Sequence, residues 1–398
     1  MTIQFPVPSE TFATNEVRQL SRSGVSITVH GLRPARSDAA KLLLDRGVST
    51  LPITHNGIGA SLRGVWAALF RPSLLLKVIT WIGQANLRKP RDLLISLLLL
   101  PRAFDILVEI ERRRPDVVHL YWGHYPSLVG YLVQHRLPAI VTSMSIVAYD
   151  LNHEYGGTAE VAKRADAIRT HAHVNKELVS HLTGVAQDRI NVIYNGVDLV
   201  WLEGISAGHE RKPRRVFTAG RLIPEKGMDD VLVAFAEVHA RWPDATLVVA
   251  GDGPDKPRLQ ALAESLGIGD AVAFLGHVMH ARVVEEMAKS EAFVLLSRYG
   301  GERLPNAVKE GMACGCICIT TPTLGIDELV DHGVTGFVVP MADAKAAAET
   351  IDRLFSGRVD TDSIATRARE HVMRHFDLRS GALRYEALWR ASIEAKRA

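Results

Sequence analysis

From residue 215 onward the chain alternates short apolar runs with amphipathic segments. The runs RVFTAG, TLVVAG, VAFLG, AFVLLS, CICITT and GFVVP are continuous enough to be strands buried on both faces. Between them MDDVLVAFAEVHARW, PRLQALAESLG, ARVVEEMAKS, NAVKEGMACG and AKAAAETIDRLF carry the spacing of one-sided helices. This alternation predicts a parallel sheet covered on both faces, an α/β architecture. The earlier half repeats the pattern less tidily. VSITVHGL, DVVHLYW, PAIVTSMS, DAIRTHA and RINVIYN read as strands, with long helical segments near 61–82 and 91–114. The first strand looks clipped, because only TIQF precedes Pro6; either it is very short or it begins upstream. The charged, Gly-containing stretch LEGISAGHERKPRR is a plausible linker, and LRSGALRYEALWRASIEAKR is an amphipathic helix after the last strand. The division expected is 1–200, a linker at 201–215, a second domain at 216–375 and a tail helix at 376–398. Two doubly wound, Rossmann-like parallel-sheet domains facing a cleft place the ligand at the carboxyl ends of the strands.

With 398 residues and 47% hydrophobic content, the chain is long enough for two cores. The net charge of +3 says little, but its distribution says more. Residues 1–200 hold 22 Lys/Arg against 16 Asp/Glu, and no acidic residue lies between Asp45 and Asp92. Arg46, Arg63, Arg71, Lys77, Arg88, Lys89 and Arg91 all fall in or at the edge of that interval. It reads either as a solvated helix face or as a surface that meets an anionic membrane or a phosphorylated acceptor. Nucleic-acid binding is disfavoured, since the basic stretch lacks interleaved aromatics at sheet positions. MTIQFPVPSE has neither the basic start nor the apolar core of a secretory signal. The most apolar run, LLISLLLLPRAFDILVEI, is broken by Pro101, Arg102 and Asp105 and is too short and charged to span a bilayer. The three cysteines, Cys314, Cys316 and Cys318, fit buried strand positions better than a zinc site and suit a reducing cytoplasm.

Candidate chemistry concentrates after the strands of the second half. In FTAGRLIPEKGMDD a strand ends at Gly220, and Arg221 and Lys226 follow just before a helix. Two cations beside a helix N-terminus make a polyanion site; the alternative is an exposed EKG turn. In GGERLPNAVKEGMACG, glycines before Glu302 allow close backbone approach, and Pro305 and Asn306 suit a first helical turn. The free N–H groups of Asn306 and Ala307 would face the same anion, and Glu310 can accept two hydrogen bonds from a ribose diol. Glu302 would then meet the hydroxyls beyond the far phosphate. The spacing fits a nucleotide-sugar: ribose, diphosphate and sugar in sequence.

The motifs GRLIPEKG, GDGP, FLGHV, ERLPNAVKEGMACG and IDELVDHGVTGFVVP resemble the donor half of retaining glycosyltransferases of family 4, with the GT-B fold. Glu302 and Glu310 match that family's E-x7-E pair, and Arg221 and Lys226 its diphosphate-binding cations. The resemblance implies donor contacts from Gly220, Arg221, Lys226, Glu302, Leu304, Asn306, Ala307 and Glu310. Gly276, His277 and Val278 resemble the segment that reads the nucleobase, YNGVD the lead-in to the linker, and the last helix the one that crosses back to the first domain. It further implies a metal-independent, retaining hexosyltransferase, with Glu302, Arg221 and Lys226 as catalytic residues; His124, from its place at a strand end, is a further catalytic candidate. Its donor is a UDP- or GDP-linked sugar, and its acceptor a glycan or lipid-linked glycan in polysaccharide biosynthesis. No cofactor or metal is expected, and the site of work is the cytoplasm, peripheral on the inner face of the cytoplasmic membrane.

The start departs from the family. Ser9, Glu10 and Thr11 stand where many members carry Gly-Gly, and SMSIVAYD lacks the usual His. A similar start marks a subset that acts in surface-polysaccharide assembly. His124 and Asp150, at strand ends, are the candidates for the acceptor side together with Ser9, Glu10 and Thr11; His119, inside a strand, reads as a core or wall histidine. The alternatives are another GT-B sugar-nucleotide enzyme, an epimerase or donor hydrolase, and a catalytically silent sugar-nucleotide scaffold.

Overall fold

The structure, a computed structural model, describes residues 1–8, 10–298 and 300–398. The chain divides into two compact units: Met1–Asn195 together with Arg379–Ala398, and Gly196–Leu378.

The first unit holds β1 (Val29–His30), β2 (Ile53–Thr54), β3 (Val117–Leu120), β4 (Val141–Ser145), β5 (Ala167–Thr170) and β6 (Ile190–Val192). All pairings are parallel, in the orders β1-β2 and β3-β4-β5-β6. The Met1–Thr2 backbone lies between the two groups. Thr2 bridges Gly31 in parallel, and the Tyr121 N–H donates to Met1 O at 2.8 Å. The segment read as one helix near 61–82 is two, Ile58–Leu69 and Pro72–Asn86, bent by 107°. Pro72 is the cause. It sits in the first turn of the second helix, has no N–H, and pushes Arg71 out of helical geometry, to φ −131° and ψ 56°. Helix Pro90–Arg113, by contrast, runs through Pro101. Gly64 makes room for it: a Cβ there would lie 1.7 Å from the Pro101 carbonyl oxygen.

A buried ion pair fastens the first unit. Arg169 on β5 is 1% exposed and donates from Nη2 to both oxygens of Glu16 at 3.2 Å. Its Nη1 donates to Ile193 O at 3.1 Å and Asn195 Oδ1 at 3.0 Å, and its guanidinium lies 5.0 Å from the Tyr385 ring centre. The Tyr121 hydroxyl donates to Glu16 Oε2 at 2.7 Å. Tyr385 belongs to the last helix, Leu378–Arg397, which packs on this unit through Ala382 and Tyr385 against Leu20 and Ile193. The same helix donates from Trp389 Nε1 to Ser143 Oγ at 2.9 Å and from Lys396 Nζ to Asp166 at 2.6 Å.

The second unit is one parallel sheet of β7 (Arg215–Ala219), β8 (Thr246–Ala250), β9 (Val272–Gly276), β10 (Ala292–Leu295), β11 (Ile317–Thr320) and β12 (Phe337–Val338). Their order is β12-β11-β10-β7-β8-β9. Each corresponds to one of the six apolar runs. The core is aliphatic and aromatic, with Phe235, Val249, Val294 and Ile319 nearly inaccessible. Two details differ from the sequence reading. The stretch taken as a linker at 201–215 opens inside helix Leu199–Ser206, which Asp198 caps by accepting from the Trp201 N–H at 3.1 Å. Of the cysteines only Cys318 lies in a strand; Cys316 is buried just before β11, and Cys314 is half-buried at the end of the preceding helix. Among the described residues no single helix is long and apolar enough to cross a membrane.

Removing the charge of Glu16 leaves Arg169 buried without its counter-charge. Glu16→Gln is expected to cost about 3 kcal/mol of stability, read from the urea midpoint, and pairing it with Arg169→Met is expected to recover part of that loss.

Candidate functional site

In the second unit β7, β8 and β9 are laid down in one direction and β10, β11 and β12 in the other. The connections therefore diverge between β7 and β10, and the loops at the carboxyl ends of these two strands flank a crevice. Lys226 comes from the first loop and Glu302 from the second. The Lys226 ammonium contacts Glu302 Oε1, with both side chains largely enclosed. Glu302 Oε2 is buried and has no hydrogen-bond partner among the described residues. A carboxylate with one oxygen unsatisfied is a poised acceptor for hydroxyl donors.

The loops are held backbone to backbone. Gly227 has φ +63°, and a Cβ there would lie 2.0 Å from Leu296 O, so the turn before helix Met228–Arg241 admits no side chain. Gly251, with φ +142°, lies equally close to Gly220 O. The Arg298 N–H donates to Glu225 O at 2.8 Å, and its guanidinium grips Asp230 and Asp229 at 2.8 Å each. These contacts fix where Lys226 stands. Gly220 is half-buried at the strand end, and Arg221 is exposed, its guanidinium without a hydrogen bond or ion pair among the described residues.

Glu302 leads into helix Asn306–Ala313, whose N-cap position, Pro305, has no side-chain cap. Val308 and Lys309 donate to Pro305 O at 3.1 and 3.3 Å. The N–H groups of Asn306 and Ala307 have no acceptor among the described residues, the feature that makes a helix start attract anions. Leu304, just before, is 2% exposed and holds φ +46°, an uncommon backbone for a branched residue. Glu310 lies one turn into the helix, 9% exposed, and shares Oε1 with His280 Nε2 at 3.0 Å. The His280 ring stacks on Trp201 at 4.7 Å. Gly276 ends β9 with φ +69°, His277 is exposed and Val278 half-buried. All of these residues stand at the carboxyl edge of one sheet.

In the first unit, Ser9 lies outside the described residues. Glu10 and Thr11 open helix Thr11–Arg22, and Glu10 makes no side-chain cap bond. Burial pushes the Glu10 carboxyl up to about 7, against the opposing pull of Arg46. His124 follows β3 and is held by Asp150. Asp150 Oδ1 receives His124 Nδ1 at 2.6 Å, the Gly123 N–H at 2.9 Å and the His124 N–H at 3.1 Å; Oδ2 receives the Val147 N–H at 3.0 Å. Asp150 is 1% exposed and fully engaged, so its part is to orient His124 rather than to meet a ligand. His119 is a wall residue, between Ser143 Oγ at 2.9 Å and Ser145 Oγ at 3.1 Å, and burial lowers its pKa well below the ordinary value.

Residues 9–201 match the family model for Glycosyltransferase Family 4, and residues 205–371 that for Glycosyl transferases group 1. The fold matches HepE from Anabaena, solved in complex with UDP, with a TM-score of 0.71 at 17% identity, covering 98% of each chain. The chain has the GT-B fold, and each half matches a glycosyltransferase family model. Among curated relatives, N-acetyl-alpha-D-glucosaminyl L-malate synthase of Bacillus anthracis is 34% identical over 164 residues, 41% of this chain and 42% of the relative. An exopolysaccharide phosphotransferase of Streptomyces coelicolor is 30% identical over 224 residues, 55% of this chain and 23% of the relative. The chain thus spans less than half the length of these two relatives.

Sequence reasoning about this chain missed His280 and Trp201. The signal present was a histidine at the start of a helix directly after FLGHV, but its carboxylate partner stands thirty residues on.

The Glu10 pKa carries a pH dependence. Below about 4.5, the ordinary value, folded and unfolded chains both hold the proton and nothing changes. Between there and about 7 the unfolded chain releases it first, so stability falls as pH rises, and the full cost is present above 7. Glu10→Gln is therefore expected to raise stability by roughly 2–3 kcal/mol more at pH 8 than at pH 4.5, in paired thermal melts.

Proposed function

We propose that the protein transfers a hexosyl residue from a UDP- or GDP-linked sugar to a glycan or lipid-linked glycan in polysaccharide biosynthesis, with retention at the anomeric carbon. The observation that carries the reading is the contact of Lys226 with Glu302 between the diverging loops after β7 and β10, next to the uncapped helix start at Asn306. Lys226, Arg221 and the N–H groups of Asn306 and Ala307 bind the diphosphate. As the bond from the anomeric carbon to phosphate oxygen breaks, its electron pair leaves with the diphosphate, and these groups stabilise the growing charge. The acceptor hydroxyl bonds to the carbon from the same face and gives its proton to the departing phosphate. Glu302 takes hydroxyls of the donor sugar, and Glu310, oriented by His280, takes those of the ribose. Gly276, His277 and Val278 line the base. His124, oriented by Asp150, serves the acceptor half together with Glu10 and Thr11. Cations and a helix dipole supply the charge that other enzymes take from a metal, so no metal is assigned to the reaction. The work is placed in the cytoplasm, at an anionic membrane surface.

Thermal shifts with UDP, GDP, ADP and TDP test the donor site. One diphosphate is expected to stabilise the protein, and Lys226→Ala to weaken its Kd by at least ~10-fold, the size of one charge-assisted hydrogen bond. Stabilisation by none of the four would overturn the reading. His280→Ala is expected to raise the donor KM about 3- to 10-fold with kcat little changed, since it loosens a binding carboxylate. Transfer to an acceptor, unchanged by EDTA and giving the donor's own anomer by NMR, separates a transferase from a donor hydrolase or epimerase.

A further inference from the structure

Two neighbouring helices of the first unit leave apolar side chains uncovered. Along Ile58–Leu69 the exposed positions Ile58, Leu62 and Trp66 recur every fourth residue, and Phe70 follows at 77% exposure. On Pro90–Arg113, Leu94 and Leu98 are likewise exposed. The two helices touch at Gly64 and Pro101, at Arg63 and Asp105, and through Arg71 and Glu111 farther along. The contact at Arg71 and Glu111 lies farther along both segments than the closest approach at Gly64 and Pro101, so Ile58 and Leu62 share an end of the pair with Leu94 and Leu98. A contiguous apolar surface of this kind marks an interaction site rather than scattered exposure.

The charge around it identifies the partner. No acidic residue lies between Asp45 and Asp92. Arg63 and Arg71, which sequence alone counts with the rest, are paired with Asp105 at 2.8 Å and Glu111 at 2.5 Å, carboxylates that Arg102 and Arg136 also contact. Lys77, Arg88 and Arg91 are exposed and have no acidic partner among the described residues. Trp66 and Phe70, their ring centres 6.1 Å apart, add an exposed aromatic pair of the type that settles between headgroups and acyl chains. A second copy fits less well, because a two-fold contact would set each positive face against its own equivalent.

We infer that the face formed by Ile58–Leu69, the turn at Phe70 and the first half of Pro90–Arg113 docks into an anionic lipid bilayer, with its aliphatic and aromatic side chains inserted and Lys77, Arg88 and Arg91 on the headgroups. This deepens the membrane-surface part of the reading above. It is independent of the donor site, so nucleoside-diphosphate binding tests that other part separately.

The full chain is sedimented with phosphatidylcholine vesicles, with and without phosphatidylglycerol, and with vesicles of brominated lipid. Wild type is expected to pellet with the anionic vesicles and its tryptophan emission to be quenched by bromine, a quenching reduced in Trp66→Phe. Leu62→Ser, Trp66→Ser and Phe70→Ser together are expected to lower partitioning at least ~10-fold. Lys77→Gln, Arg88→Gln and Arg91→Gln together remove the dependence on phosphatidylglycerol and on salt. All six positions are exposed, and an unchanged diphosphate-induced thermal shift confirms that each variant is folded. The inference is overturned if wild type stays in the supernatant, or if the triple serine variant binds as wild type does. It is equally overturned if that variant merely dissociates an oligomer that never bound vesicles.

Discussion

A parallel sheet that grows in two directions must part its connections somewhere, and in the second unit the parting lies between β7 and β10. Everything proposed for the donor site depends on that constraint. The loop after β7 brings Lys226 and Arg221, and the loop after β10 brings Glu302 and the helix that starts at Asn306. Neither loop is free to choose its path. Gly227 lies against Leu296 O, Gly251 against Gly220 O, and Arg298 bonds back to Glu225. Topology chooses the place, and close backbone contact sets the position of the charges.

Two enclosed ion pairs make different use of the same chemistry. Glu16 and Arg169 are each met by further donors or acceptors, which offset much of their desolvation, and the pair ties strand, first helix and last helix together. Lys226 and Glu302 contact each other, but Glu302 keeps one buried oxygen without a donor. In the first pair only Arg169 Nε lacks a partner among the described residues, and that pair suits structure. The second suits a ligand that offers hydroxyls to the carboxylate and phosphate to the ammonium.

How much of this was legible depended on whether the relevant neighbours were local in sequence. The six strands of the second unit stood out because each is apolar on both faces, and the cation pair after Gly220 was visible because its members lie within six residues. β1 and β2 have only two residues each, too few for a period to show, and VSITVHGL promised a longer strand than forms. The bend at Pro72 had a local cause that the apolar pattern across it concealed. His280 could not be matched to Glu310 by spacing, because the contact joins the start of one helix to the middle of another. The uncovered face at Ile58–Leu69 carries a periodicity that tells which residues share a side, but not whether anything lies opposite. Nor does charge counting reveal that Asp105 and Glu111 pair with Arg63 and Arg71.

The last helix has a consequence for the order in which the molecule is made. The first unit is discontinuous: Tyr385 and Trp389, which close over Arg169, His119 and Ser143, come from beyond the whole second unit. During synthesis, residues 1–195 therefore leave the ribosome without the side chains that complete their core. The second unit, Gly196–Leu378, is continuous and can close as soon as it emerges. The half made first is thus finished last, and until the final helix arrives a buried guanidinium and an inner strand face stay open to solvent and to chaperones.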